Sequence, residues 1–325
     1  MNGVIDAAIF ATSPGSRGAD DHATLSTCDL YDATSDVGAA RTVTDYLLEE
    51  LCDLRAVLGL RLHRFGYEAD DQKQELRRYL FGRRLVKRID MTQPLHAILR
   101  RLHASITSGQ EGDSSFREVN VASISRHEGA QANVNRTRHQ DVPRLIEETE
   151  ARILRSSVLS PFERAALVYF EILNIHPFRD GNGRVARLIA GRLLGGVARL
   201  AFPIDITSIS RTALGPGYHV LHAGRAPSSY RLWIAYMRGL YAAEIQSIAR
   251  LCDALASLHS DDETQLRAVI VDALDAVEDG RSFIEIVAAA QAKARPAVAR
   301  LLVTIAAPTL GRSSGHKRTA MEGNR

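Results

Sequence analysis

Cysteine is scarce in this chain: Cys28, Cys52 and Cys252 are three in all, widely separated and odd in number. That count supports neither a disulfide framework nor a zinc site, and it fits a reducing compartment. Long apolar runs are missing too, with none near the roughly 20 residues that cross a bilayer, so no membrane partner is expected. The first residues lack a basic stretch leading into an apolar one, so no secretory signal is read there. A cytoplasmic protein is the expectation, with delivery by a specialised secretion route as the alternative. Charge imbalance is absent as well. Forty-one Lys and Arg against 38 Asp and Glu leave a net +3, which makes no compositional case for nucleic acid. What remains is 45% hydrophobic and 24% charged over 325 residues, an ordinary globular make-up sufficient for one large or two modest domains.

Residues 1–40 are rich in Ala, Ser, Thr, Asp and Gly without sustained periodicity and read as a flexible leader. From there the pattern is helical. Leu47, Leu48, Leu51, Leu54, Val57, Leu58 and Leu62 predict a helix over Asp45–Arg64, and a second is predicted over Asp71–Ile89. The second carries Arg77, Arg78, Arg83, Arg84, Lys87 and Arg88, read as a solvated face diluted by Asp70, Asp71, Glu75 and Asp90. A third is predicted over Gln93–Thr107, stopped by Ser108-Gly109. His96, His103, His127 and His139 make no metal-ligand spacing and read as surface or boundary histidines.

Phe116, Val119 and Val121 then alternate ahead of a polar stretch, which reads either as a short hairpin or as a plain surface loop. Helices are predicted again over Val142–Arg155, Pro161–Ile175 and Val185–Leu194, the last stopped by Gly195-Gly196, and then over Gly217–His222 and Tyr230–Arg250. Trp233 and its tyrosine neighbours sit at core spacing. Near the end, Phe283–Ala292 and Pro296–Ile305 flank a tight join. That pattern fits a helix-turn-helix reader of DNA, or equally a helical appendage that caps the core or forms a homodimer.

The chemistry concentrates in residues 171–192, EILNIHPFRDGNGRVARLIAGR. Ser160 stands three residues before Glu163 with Pro161 between them, a capping box that starts the upstream helix. Between that helix and the next lie His176, Pro177, Phe178, Arg179, Asp180, Gly181, Asn182 and Gly183. Gly181, Asn182 and Gly183 tolerate backbone conformations that point N–H groups into a concavity at a helix N-terminus, a ready anion site. Arg184 and Arg187, three apart on one face, can fork onto phosphate oxygens. Asp180 is a hard ligand suited to a magnesium ion already tied to phosphates, and His176 is the group that takes a proton near neutral pH. Singly, a His-Pro at a helix end or a Gly-Asn-Gly is a turn. Together and in order they read as a phosphate cradle, a metal ligand and a base.

The string resembles the Fic-domain motif HPFx(D/E)GN(G/K)RxxR, and His176 to Arg187 fills every position of it. The resemblance extends over about 80–245 and implies an all-α, mostly helical Fic-like bundle with a short β-hairpin flap. It implies a protein adenylyltransferase that moves AMP from ATP, with Mg2+, to a Ser, Thr or Tyr hydroxyl. Its alternatives are transfer of another phosphate-containing group, against which Gly183 stands, and a DNA-binding regulator with a secondary Fic site. It implies His176 as catalytic base, Asp180 at the metal, and Phe178, Gly181, Asn182, Gly183, Arg184 and Arg187 about the nucleotide. Phe178 is expected to point into the core and anchor the loop, and Tyr218 is expected to line the nucleotide pocket. The flap, at about 116–135, would hold the target protein by strand addition, although only Pro143 remains where the family often has adjacent prolines.

Members of the family are often restrained by a glutamate in an (S/T)xxxE(G/N) segment that pairs with the second motif arginine, here Arg187. Thr107–Gly112 matches, but Gly109 and its place in a loop argue against it. The expectation is an unrestrained protein or a separate inhibitor. The predicted organisation is thus a leader (1–40), an N-terminal helical segment (41–92), a Fic-like catalytic domain (93–250) and a C-terminal helical appendage with a disordered tail (251–325), for which a small helix-turn-helix or winged helix is one of the readings.

Overall fold

The computed structural model describes residues 43–61, 69–127, 130–135, 137–205, 220–221, 225–278 and 294–301. The expectations for the leader, for Tyr218, for most of Gly217–His222 and for the helix over 283–292 fall outside the described residues. Within them the fold is all-α: α1 (Val43–Arg61), α2 (Ala69–Arg88), α3 (Leu95–Ser108), α4 (Val142–Thr149), α5 (Pro161–Ile175), α6 (Asn182–Val197), α7 (Pro227–Ala256) and α8 (Ser260–Glu278). α4 runs on as a wider π turn over Glu150–Leu154. Between α3 and α4, β1 (Ala122–His127) pairs antiparallel with β2 (Ala130–Asn135), Ala122 opposite Asn135 and His127 opposite Ala130.

The strands begin after the alternating Phe116–Val121 stretch, not within it. Phe116 packs its ring against Phe178 and Arg117 is buried, so those two residues turn inward and belong neither to the hairpin nor to a plain surface loop.

α5 and α6 form the central pair, with α3 packed on α2 and α6, and α7 laid across α5 and α1. The capping box is present: the Glu163 N–H donates to Ser160 Oγ at 3.2 Å and the Ser160 N–H donates to Glu163 Oε2 at 2.9 Å. Trp233 lies in the core, its ring N–H donating to the Ala166 carbonyl at 2.8 Å. Apolar residues from α1, α2 and α8 join the same cluster as those of α5 and α6. α7 continues through residue 250 to Ala256, across the expected domain boundary.

Two readings of the sequence are corrected here. α2 is not a wholly solvated basic face. Arg83 is buried, donating to Asp53 at 2.7 Å and to the Pro203 carbonyl at 3.0 Å, and Lys87 reaches Glu49 and Asp53. Burial disfavours the Arg83 charge, but Asp53, Tyr79 and Asp205 together outweigh it and the pKa moves up.

Nor do Gly195 and Gly196 stop α6, which runs on to Val197. Gly195 and Gly191 instead admit the returning chain. A Cβ on Gly191 would stand 2.3 Å from the Ile204 carbonyl oxygen, and one on Gly195 equally close to that of Phe202. The Ile204 N–H donates to the Gly191 carbonyl at 2.9 Å, so this backbone cannot simply retreat. Gly191→Ala should therefore cost about 1–3 kcal/mol by overpacking, read as a lowered denaturant midpoint with an unchanged slope.

Candidate active site

The loop joining α5 to α6 is held from three sides. His176 caps α5 in the left-handed conformation (φ 55°, ψ 61°), costly for a residue with a Cβ and found where surroundings enforce it. Its Nδ1 lies 3.4 Å from the Leu173 carbonyl. A carbonyl only accepts, so in the neutral ring Nδ1 carries the proton and Nε2 holds the lone pair.

Phe178 is buried, stacked on His103 with centroids 3.8 Å apart and 8° between planes. Asn182, at the first turn of α6, closes the loop. It accepts from the Phe178 N–H at 2.9 Å and donates to the Phe178 carbonyl at 2.8 Å. The side chains of Phe178 and Asn182, expected about the nucleotide, are thus engaged in bracing the loop. Gly181 takes φ +78°, where a Cβ would come within 3.1 Å of Ile106 and 3.4 Å of the His103 ring.

The arginines lie on one face of α6. Arg184 is nearly buried and forms a triad, 2.7 Å from Glu75 of α2 and 3.0 Å from Asp180. Arg187 lies beside the loop, its Nη1 3.4 Å from where a Gly183 Cβ would be. Burial pulls down the pKa of Arg187, but Tyr79, Tyr169 and Asp205 outweigh it and the pKa moves up. The Arg187 Nε is a buried donor with no hydrogen-bond partner.

Asp180 presents a side chain 75% exposed. One exposed carboxylate suits a magnesium ion that arrives on phosphates and not an all-protein cage. Among the described residues no cluster of three or more His, Cys, Asp or Glu could hold a metal unaided.

Three residues important to this geometry were not read from the sequence. His103, taken for a boundary histidine, sits within 3.1 Å of the Asp180 carbonyl through Nε2 and 2.9 Å of Ser114 Oγ through Nδ1. Arg117 reaches the carbonyls at the end of α5. Glu75 was counted only as a diluting acid on a basic helix. Glu111, in the segment matching the inhibitory pattern, pairs with Arg101 at 2.8 Å on the surface.

Burial pushes the His103 pKa below its usual 6.5, against the Asp180 backbone bond that raises it. Because the folded chain then binds that proton less readily than the unfolded one, stability falls as pH drops below about 6.5, and this loss ends once folded His103 is itself protonated. The slope from one proton cannot exceed about 1.4 kcal/mol per pH unit. Denaturation at pH 7 and pH 5.5 should show a smaller drop for His103→Gln than for the parent.

The Fic/DOC family model matches residues 93–194. Residues 93–194 are a Fic/DOC domain. Protein adenylyltransferase fic-1 of Caenorhabditis briggsae is 33% identical over 89 residues, which are 27% of this chain and 16% of that protein. The chain therefore matches only a small part of that curated relative.

A Fic domain containing signaling protein from Bacteroides thetaiotaomicron superposes with a TM-score of 0.51 at 17% identity, covering 70% of this chain and 96% of the other. A Fic family protein from Desulfovibrio desulfuricans gives 0.51 at 16% identity, covering 77% and 83%. At such identities the likeness speaks to the fold, and it is the all-α Fic fold. Among the described residues no helix is long and apolar enough to cross a membrane.

Proposed function

We propose that this Fic-domain chain is a protein adenylyltransferase that moves AMP from ATP to a Ser, Thr or Tyr hydroxyl of a target protein and releases pyrophosphate. The observation that carries the reading is the placement of His176 and the N-terminus of α6 at the two ends of one short, braced loop. The α6 amides and the Arg184–Arg187 face favour anionic oxygens there. His176 takes the hydroxyl proton on Nε2, the hydroxyl oxygen bonds to the α-phosphorus, and the bond to the β-phosphate oxygen breaks as pyrophosphate departs.

Magnesium, held at Asp180 on the ATP phosphates, would supply neutralisation of their charge. The loop braces Phe178, Asn182 and His103 keep base and cradle in register, and positioning of this kind supplies much of the acceleration in phosphate transfer. The antiparallel pair of β1 and β2 supports a role as the flap, since an edge strand can take on an extended target segment.

The test is incubation of the purified protein with magnesium and ATP labelled separately at the α- and γ-phosphate, with and without cell lysate. Protein-bound α-label supports AMP transfer. Bound γ-label would mean phosphate transfer, and neither label in any lysate would remove the reading.

A further inference from the structure

We propose that Arg117 is a positioning residue that holds His176 in its left-handed conformation and ties it to the base of the β1–β2 hairpin. The proposal rests on the reading of His176 as the base. Arg117 is 5% exposed. Its Nε donates to the His176 carbonyl at 2.7 Å and its Nη2 to the Ile175 carbonyl at 3.3 Å. Its Nη1 donates to the Val119 carbonyl at 2.8 Å, and Nη2 also reaches the Thr137 carbonyl. Its own backbone N–H donates to the Pro177 carbonyl at 2.9 Å.

Among the described residues these bonds all end on main-chain carbonyls. Of the four made by the guanidinium, two end on the last residues of α5 and two on the chain entering β1 and the chain leaving β2.

The physical case has three parts. The last carbonyls of a helix have no partner inside it, and a buried one left unpaired is costly. A cation at a helix C-terminus is favoured by the helix dipole. A left-handed histidine persists only where its surroundings over-determine it, and a charge-assisted bond to its own carbonyl fixes the peptide plane that sets the ring direction. The planar fork of Arg117 meets all three needs while gripping both hairpin legs, which a lysine, with a single ammonium, cannot do. A polypeptide seated along the hairpin therefore acts on the same guanidinium that aims His176.

The experiment uses the full chain with Arg117→Gln and Arg117→Lys. Circular dichroism melts report folding, calorimetry reports binding of MgATP, nitrogen-15 spectra report the His176 ring, and α-label transfer into lysate protein at saturating ATP reports turnover. Arg117→Gln should stay folded and bind MgATP within about twofold of the parent, since Arg117 does not touch the cradle. It should lose about 10²-fold in transfer, the effect of misplacing a reacting group by an ångström, and shift the His176 ring signals away from the single Nδ1–H tautomer. Arg117→Lys should recover part of both.

Parent-level transfer, an unshifted His176 ring, or MgATP binding lost in step with transfer would overturn the proposal. If the parent transfers no α-label, the reaction assigned above falls, and the ring signals alone decide for or against positioning. If the glutamine variant does not fold, the lysine variant decides by the same readings.

Discussion

Replacing His176 by alanine is expected to lower α-label transfer by about 10²–10⁴-fold, the usual contribution of a positioned general base, while leaving MgATP binding close to that of the parent. The split follows from the geometry. His176 belongs to the end of α5, and its ring nitrogen Nδ1 is directed to the Leu173 carbonyl. Arg184 and Arg187 belong to α6, and the bonds that shape the loop between run through Asn182 and Phe178. Removing the imidazole takes away a proton acceptor and leaves the arginines and amides of α6 in place. Alanine still carries a Cβ, so the left-handed strain at this position stays in the variant.

The measurement is initial transfer rate at saturating ATP beside a binding isotherm. Equal loss of both would mean that His176 serves nucleotide binding, and an unchanged rate would remove it from the chemistry. His176→Asn is a useful companion. It tolerates the left-handed conformation yet has no titratable nitrogen, so it should be as inactive as alanine.

What was legible in the sequence follows from how far each interaction reaches along the chain. The capping box, the helix boundaries of α5 and the order of loop residues are set by neighbours three or four positions away, and each could be read directly. Phe178 was expected inside on the family resemblance and not from its neighbours, and it is buried. Contacts that join distant segments were not legible. Arg83 reads as one more surface arginine until Asp53 and Pro203 are brought to it.

Gly195 reads as a helix stop because a glycine that makes room for another backbone has the same local signature as one that ends a helix. His103 lies on a regular amphipathic helix, and its stacking partner is many turns away in sequence. α8, Ala- and Val-rich with three acids in its first turn, was passed over because its apolar residues are small. The alternation at Phe116–Val121 left a hairpin and a surface loop both open, yet Phe116 and Arg117 are drawn inward by Phe178 and by the end of α5. In each case a tertiary contact overrode a local pattern.

The second large effect is expected at Glu75. Its carboxylate lies 2.7 Å from Arg184, and Asp180 holds the same guanidinium from the other side. Two carboxylates on one arginine leave it little charge with which to hold a phosphate. Binding of an anion at the cradle must therefore displace Glu75 or bear its repulsion. Charge-assisted bonds of this kind are worth about 1.5–3 kcal/mol. Glu75→Gln keeps the shape of the side chain while removing its charge, and should tighten MgATP binding by about 10- to 100-fold.

The sign is decided by burial. Arg184 is nearly enclosed, so a lost partner is not replaced freely by water, and the uncompensated cation seeks another anion. The same reasoning predicts a lower melting temperature for the variant without ligand and a larger gain on adding MgATP, because ligand binding then supplies the missing charge. Unchanged or weaker binding would recast Glu75 as a brace that orients Arg184. In that case Glu75→Gln and Arg184→Gln should lower nucleotide affinity to a similar extent, and a double variant should show no further loss.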